Sequence, residues 1–114
     1  MFSENLSIAI TVSDGKRSAK WFRDVIGLEV SEQGHWITAH VKGAEWKIHL
    51  CESDQLEPGN TGVAFWVDDV KKSVEELKKK GVKFSRDYTK NQWGESAIFD
   101  DPDGNAFWLK PGSP

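Results

Sequence analysis

Residues 7–14, Ser-Ile-Ala-Ile-Thr-Val-Ser-Asp, and residues 62–69, Gly-Val-Ala-Phe-Trp-Val-Asp-Asp, follow the same order of apolar and polar positions. A second pair of stretches, residues 46–50 and residues 105–109, matches in the same way towards the end of each half. Self-similarity at a nearly constant spacing is typical of a duplicated unit. The sequence therefore predicts a single domain over residues 1–114 made of two modules, at about 1–55 and about 56–112.

Each half of the sequence predicts a strand, a helix and then three further strands. Alternation of apolar with small or polar residues indicates the first strand of each half. Ser13 or Asp14 is the predicted N-cap of the first helix, and Asp68 or Asp69 that of the second. Residues 101–105 are expected to form a tight turn between the last two strands. Two glycines mark the predicted helix ends, Gly27 and Gly81. The predicted fold class is α+β, with two tandem βαβββ modules.

The two faces of the predicted strands differ in composition, because successive side chains point to opposite sides of a strand. One face is apolar and is expected to lie under the helices: Ile8, Ile10, Val12, Trp46, Ile48, Leu50, Val63, Phe65, Val67, Phe107 and Leu109. The other face is small, polar or aromatic, a mixture that suits the wall of a concave binding site. Its predicted members are Ser7, Ala9, Thr11, Lys47, His49, Cys51, Gly62, Ala64, Trp66, Ala106 and Trp108. On two further strands we assign to this face Trp36, Thr38, His40, Ser96, Ile98 and Asp100.

The composition argues against several classes of function. Fifteen Lys and Arg residues against eighteen Asp and Glu residues give a net charge of -3, whereas nucleic-acid binding needs a basic surface. No apolar run approaches the roughly 20 residues of a membrane span, and residues 1–5 do not begin a signal peptide. The single cysteine, Cys51, leaves no intrachain disulfide, which fits a reducing compartment. We therefore expect a cytoplasmic protein that binds neither nucleic acid nor membranes.

Three segments carry a resemblance to a known family: residues 8–14, residues 64–69 and residues 99–105, Phe-Asp-Asp-Pro-Asp-Gly-Asn. With the duplication, they resemble the vicinal oxygen chelate superfamily, which holds glyoxalases, extradiol dioxygenases, fosfomycin-resistance transferases and bleomycin-resistance proteins. The resemblance spans nearly the whole chain and implies two βαβββ modules whose mixed sheet curls around a cavity. Because a fold does not determine a function, the site must decide between these activities.

The metal enzymes of the resembled family take their ligands from the first and fourth strands of each module. The resemblance assigns Ser7 and His49 to these positions in the first module, and Gly62 and Trp108 in the second. Only His49 carries a side chain that divalent metals favour, whereas a metal site needs three or four such ligands. The sequence is therefore interpreted as a protein with no metal, no other cofactor and no catalytic residues.

The six tryptophans of the sequence point instead to an aromatic ligand. Four of them are predicted to approach the cavity, where planar rings can stack on indoles, whereas Trp46 is expected in the core. Residues 90–94 resemble the Pro-Trp-Gly segment of bleomycin-resistance proteins, with Gln92 in place of the proline. The predicted ligand-binding residues are Trp36, Thr38, His40, His49, Trp66, Trp93, Ser96, Asp100 and Trp108.

We interpret the sequence as a metal-independent protein that binds and sequesters an aromatic or heteroaromatic small molecule, for example a bleomycin-type antibiotic. Two alternatives stay open: a glyoxalase-like lyase or dioxygenase with a degenerate or unusual site, and a subunit or regulatory module that binds a metabolite. The negative net charge and Asp100 favour a cationic ligand over the Trp66 and Trp108 rings. Modules of about 55 residues are marginal alone, and the resembled proteins often complete their cavities with a second subunit, so we expect a C2 homodimer.

Overall fold

The structure, a computed structural model, describes residues 1–113. The chain divides into two compact units, residues 1–56 and the part that begins at Glu57, and we call them module 1 and module 2. Each module contains one helix and one four-stranded sheet. No helix among residues 1–113 is long and apolar enough to cross a membrane.

Module 1 has a mixed sheet with the strand order β1-β4-β3-β2. The first and last strands, β1 and β4, pair in parallel, and the other neighbours are antiparallel. Its elements are β1 (Ile8–Val12), α1 (Gly15–Trp21) with a π-helical continuation (Phe22–Ile26), β2 (Glu29–Gln33), β3 (Trp36–His40) and β4 (Ile48–Glu52). The helix packs on β3 and β4.

Module 2 repeats this arrangement with the strand order β5-β8-β7-β6, in which β5 and β8 are the parallel pair. Its elements are β5 (Gly59–Val67), α2 (Val70–Lys79), β6 (Lys83–Asn91), β7 (Gly94–Asp100) and β8 (Asn105–Pro111). Here the helix packs on β6, β7 and β8. The α+β class and the two βαβββ modules predicted from the duplication are thereby confirmed.

Side-chain caps begin both helices at the predicted acidic residues. Asp14 accepts a hydrogen bond from the backbone N–H of Arg17 at 3.1 Å, and Asp69 accepts one from Lys72 at 3.0 Å. These bonds satisfy N–H groups that have no partner within a helix. The π-helical continuation of α1 ends at Gly27, whose φ of 86° lies in the left-handed region that glycine adopts without strain.

The turn between β7 and β8 is held by one buried carboxylate. Asp101 accepts hydrogen bonds from the backbone N–H groups of Asp103 and Asn105 and from the Asn105 side-chain amide, at 2.8–2.9 Å. Burial raises the pKa of the Asp101 carboxyl, and these three donors act in the opposite direction. The predicted turn at residues 101–105 is confirmed, and it fixes the register in which β8 returns along β7.

Six of the eleven residues of the predicted apolar face are buried, and the other five lie on the edge strands β1 and β5 or just before β4. Ile8 is 48% exposed and Trp46 is 45% exposed, so their assignment to the core was wrong. Ile8 is the first residue of the edge strand β1, and Trp46 precedes the start of β4. A third exception is the apolar set on β5, which is only half-buried because β5 is also an edge strand: Val63, Phe65 and Val67.

Candidate functional site

The register of module 1 determines which residues share the face of His49. Thr38 pairs with His49, and Ala39 pairs with Ile48, so successive residues of β3 point to opposite faces of the sheet. Ile37 and Ala39 are buried on the side of the core. Trp36, Thr38 and His40 therefore lie on the same face as His49, as the alternation in the sequence predicts.

An open concavity on this face has a volume of about 560 Å³ and is bounded by His35, Trp36, His49, Cys51 and Glu52. The Trp36 and His49 rings lie 3.9 Å apart between centroids, tilted by 32°, and Trp36 is 54% exposed. Their contact presents an accessible aromatic surface to solvent. His35 is exposed and also borders this concavity.

Two predicted residues of module 1 lie on this face without lining its concavity. Thr38 is buried between its neighbours on the sheet. His40 approaches Glu29 across the β2–β3 pair, with Nε2 3.5 Å from a carboxylate oxygen, and it lies at the far end of β3 from Trp36. Trp36 and His49 are therefore the predicted residues that module 1 brings together.

Module 2 forms a second concavity of about 370 Å³ on the face of its sheet that carries Trp108. Ile98 pairs with Trp108, Asp100 pairs with Ala106, and Ala64 pairs with Trp108 on the other side. The indole N–H of Trp108 donates a hydrogen bond to Asn60 Oδ1 at 3.3 Å. The concavity is lined by Gly59, Asn60, Ser85, Ile98, Asp100, Gly104, Ala106 and Trp108.

The side chains of two cations lie on the Trp108 ring. The guanidinium carbon of Arg86 is 4.8 Å from the ring centroid, and Lys110 Nζ is 5.3 Å from it. Arg86 also donates a hydrogen bond through Nη2 to the hydroxyl of Ser96, which is buried. A cationic ligand would add a third positive charge at this ring, so these two contacts argue against the cationic ligand expected over Trp108.

Sequence reasoning missed Arg86 because β6 does not alternate regularly. The pairing of β6 with β7 shifts between Phe84 and Arg86, and again between Arg86 and Thr89. Each shift inserts a residue, so period-two alternation cannot be followed along this strand. One signal was present: Arg86 is the only arginine after residue 23.

The other two predicted tryptophans of module 2 differ in position. Trp66 is 38% exposed and lies directly opposite Lys110 in the β5–β8 pair, close to the row that carries Trp108. Trp93 is 85% exposed in the turn between β6 and β7, where its backbone N–H donates to Asn91 Oδ1. Trp93 lines neither concavity.

The four positions at which the family's metal enzymes hold their ion do not fit a divalent metal. Ser7 and Gly62 supply no ligand of the kind such ions favour, and the Trp108 indole offers only an N–H, already donated to Asn60. Gly62 has a φ of 73°, which explains a glycine there on conformational grounds. Among residues 1–113, no three His, Cys, Asp or Glu side chains come together as a metal-binding group.

Comparisons with known proteins agree with this architecture. Residues 6–109 match the model of the Glyoxalase/Bleomycin resistance protein/Dioxygenase superfamily. The chain is 24% identical over 113 residues to the uncharacterized protein YetH of Bacillus subtilis (strain 168), with 91% of this chain and 94% of that protein covered.

Two solved structures illustrate the structural likeness. A member of the same superfamily from Sphaerobacter thermophilus DSM 20745 has a TM-score of 0.86 at 24% identity, covering 97% of this chain and 98% of that one. TnmS3, an antibiotic binding protein from Streptomyces sp. CB03234, has a TM-score of 0.80 at 26% identity and covers 98% of each chain.

Proposed function

The chain belongs to the Glyoxalase/Bleomycin resistance protein/Dioxygenase superfamily, and from this premise we propose that it binds a planar aromatic small molecule of the antibiotic type and holds it without chemical conversion. The similarity to an antibiotic binding protein across 98% of the chain supports a ligand of this kind. Sequestration of a drug needs affinity and shape, and it needs neither a nucleophile nor a metal.

The observation that carries the proposal is the position of Trp108. Its indole lines a concavity of about 370 Å³, a volume within the range of small-molecule sites. Trp108 stands at a position where a metal enzyme of this family would have a side chain that coordinates the metal. An indole offers a broad apolar surface for a planar ring. Each module offers its own accessible side chains for a ligand: Trp66, Asp100 and Trp108 on module 2, and, on a separate concavity of module 1, Trp36 and His49.

The side chains at the four family metal positions favour the binding of a small molecule over metal-dependent catalysis. His49 is the one metal-type ligand among the four family positions, and its ring packs against Trp36. A lyase or dioxygenase that relies on a divalent ion needs further His, Asp, Glu or Cys ligands beside it. The proposed binding is therefore metal-independent.

We also propose that the protein acts as a C2 homodimer in the cytoplasm. Apolar side chains are exposed near the start of module 1, at Phe2, Leu6 and Ile8, and the last of these lies on the edge strand β1. A second copy that covers these side chains would remove them from water.

Fluorescence titration tests the proposed function directly. We expect bleomycin-type and other planar aromatic compounds to quench tryptophan emission with saturation, equally before and after treatment with EDTA. His49→Ala should weaken binding only modestly, by about 1 kcal/mol, because an aromatic contact or hydrogen bond is lost and no metal leaves with it. Near-stoichiometric metal in the purified protein, together with loss of binding after EDTA and in His49→Ala, would contradict the proposal.

A further inference from the structure

Module 2 gathers cationic and aromatic side chains on one face, apart from the lining of its concavity. Successive rows across the sheet place Ile98 opposite Trp108, and Lys110 opposite Trp66. Arg86 extends from β6 over this region and contacts the Trp108 ring. Trp108 is shared, because it lines the concavity and also contacts both cations. We call Arg86, Lys110, Trp66 and Trp108 the cationic-aromatic cluster.

Arg86 has unused hydrogen-bonding capacity within this cluster. Its Nε is buried and has no hydrogen-bond partner, and Nη2 donates to Ser96. Among residues 1–113, neither Arg86 nor Lys110 takes part in an ion pair with a carboxylate. Because neither cation is neutralised by a carboxylate in this described part of the chain, an anionic group brought by a ligand would be stabilised beside them.

The charges on this face of module 2 are arranged with opposite signs along the sheet. Asp100 lines the concavity beside Ala106, on the next row of the same face after Ile98 and Trp108. Arg86 and Lys110 contact the Trp108 ring and do not line that concavity. A bound molecule would therefore meet positive charge near one part of its ring system and a carboxylate near another. Such a distribution orients a polar aromatic ligand.

We propose that Arg86 and Lys110 bind the anionic group of a planar aromatic acid whose ring contacts the indoles of Trp66 and Trp108. This assignment rests on the proposed binding function and specifies its ligand class. A guanidinium presents several N–H donors in a plane that matches a carboxylate, and charge-assisted bonds of this kind are the stronger ones. The Ser96 hydroxyl holds the guanidinium over the ring, and Lys110 adds a second positive charge.

A matched pair of probes tests this assignment: anthraquinone-2-carboxylate and the neutral anthraquinone-2-carboxamide, titrated at pH 7 by tryptophan fluorescence. The wild-type protein should bind the carboxylate about tenfold or more tightly than the carboxamide. Arg86→Gln should remove most of this preference and leave the affinity for the carboxamide within about threefold of the wild type. Lys110→Gln should reduce the preference less, and Asp100→Asn should retain it.

The matched control is Arg23→Gln, which removes an arginine of module 1 that is paired with Glu32 at 3.0 Å. It should leave both affinities unchanged. Thermal melts test whether each variant is folded. If Arg86→Gln does not fold, Lys110→Gln is the deciding variant: a reduced preference for the carboxylate supports the anion site, and an unchanged preference contradicts it.

The outcomes separate the two proposals. Equal affinity of the wild type for both probes, unchanged in Arg86→Gln, would overturn the anion site and leave the aromatic binding function standing. Absence of binding by either probe, and by the wider panel of planar aromatic compounds, would overturn both.

Discussion

Tyr88, the single tyrosine of the sequence, provides a test at the scale of one residue. Its hydroxyl donates a hydrogen bond to Glu95, and this bond, burial and the negative charges of Glu95 and Asp69 raise the pKa of the phenol. Absorbance of the tyrosinate should therefore appear at higher pH than the usual value of about 10. Glu95→Gln should move the titration back towards that value.

The direction in which the stability of the protein depends on pH follows from the linkage between protonation and folding. Because the pKa is higher in the folded state, the contribution of Tyr88 to stability is complete below the unfolded pKa and is lost as the pH rises through the folded one. Glu76→Gln, which removes an exposed carboxylate from α2, is the control and should leave the titration unchanged. An identical Tyr88 titration in the wild type and Glu95→Gln would show that the hydrogen bond does not set the pKa.

The sequence predicts single residues well wherever a strand alternates regularly. The strands β3 and β4 of module 1 and the strands β7 and β8 of module 2 do so, and the registers place His49 and Trp108 each on the predicted face of its own sheet. Arg86 lies between two register shifts in β6, where alternation in the sequence no longer indicates which face of the sheet a side chain is on. The sequence therefore suggested a cationic ligand without taking into account that Arg86 and Lys110 already place two positive charges on the Trp108 ring.

At the scale of elements, the cap of α2 can be tested against its neighbour in the chain. Asp69→Ala should lower the free energy of unfolding by about 1 kcal/mol, because the N–H of Lys72 loses its acceptor. Asp68→Ala is the matched control, since Asp68 is exposed and the cap of α2 is Asp69, and it should change stability by less than about 0.5 kcal/mol. Urea denaturation of the three proteins measures both values. Equal losses would show that Asp69 is not the operative cap.

Elements were predictable where local chemistry specifies them. Both helix starts, the glycine at the end of the α1 continuation and the turn around Asp101 follow from side-chain hydrogen bonds or backbone conformations that single residues dictate. The widened helical turn at residues 22–26 was not foreseen, because the apolar stripe is compatible with either helix type. The position of Trp46 outside β4 was also missed, since alternation alone does not show where a strand begins.

At the scale of the whole molecule, the proposed homodimer predicts a mass about twice the 12.9 kDa of the chain. Light scattering at micromolar concentration should give this value. Replacing the exposed edge residue with a charge, as in Ile8→Glu, should shift the mass towards that of one chain, because a buried glutamate without a partner is costly. A mass of one chain for the wild type at all concentrations would contradict the homodimer.

The order of elements along each module was predictable because the duplication repeats it, and the structure adds that the two sheets share one strand order, β1-β4-β3-β2 and β5-β8-β7-β6. The ligand was less predictable, because specificity depends on which long side chains extend over a sheet. The long side chains of Arg86 and Lys110 reach the Trp108 ring, and the alternation of residues in the sequence does not predict these contacts.

The most direct measurement compares affinity and stability in Trp66→Ala and Trp108→Ala. Trp46→Ala is the control, because Trp46 belongs neither to the cationic-aromatic cluster nor to the lining of either concavity. If these indoles bind the ligand, each variant should lose about tenfold or more in affinity for a planar aromatic acid, about 1.4 kcal/mol, and remain folded in thermal melts. Trp46→Ala should bind as the wild type does. The contradictory result is a loss of roughly 3–5 kcal/mol in stability, as for a large side chain removed from a core, together with no quenching of the wild-type fluorescence by any planar compound.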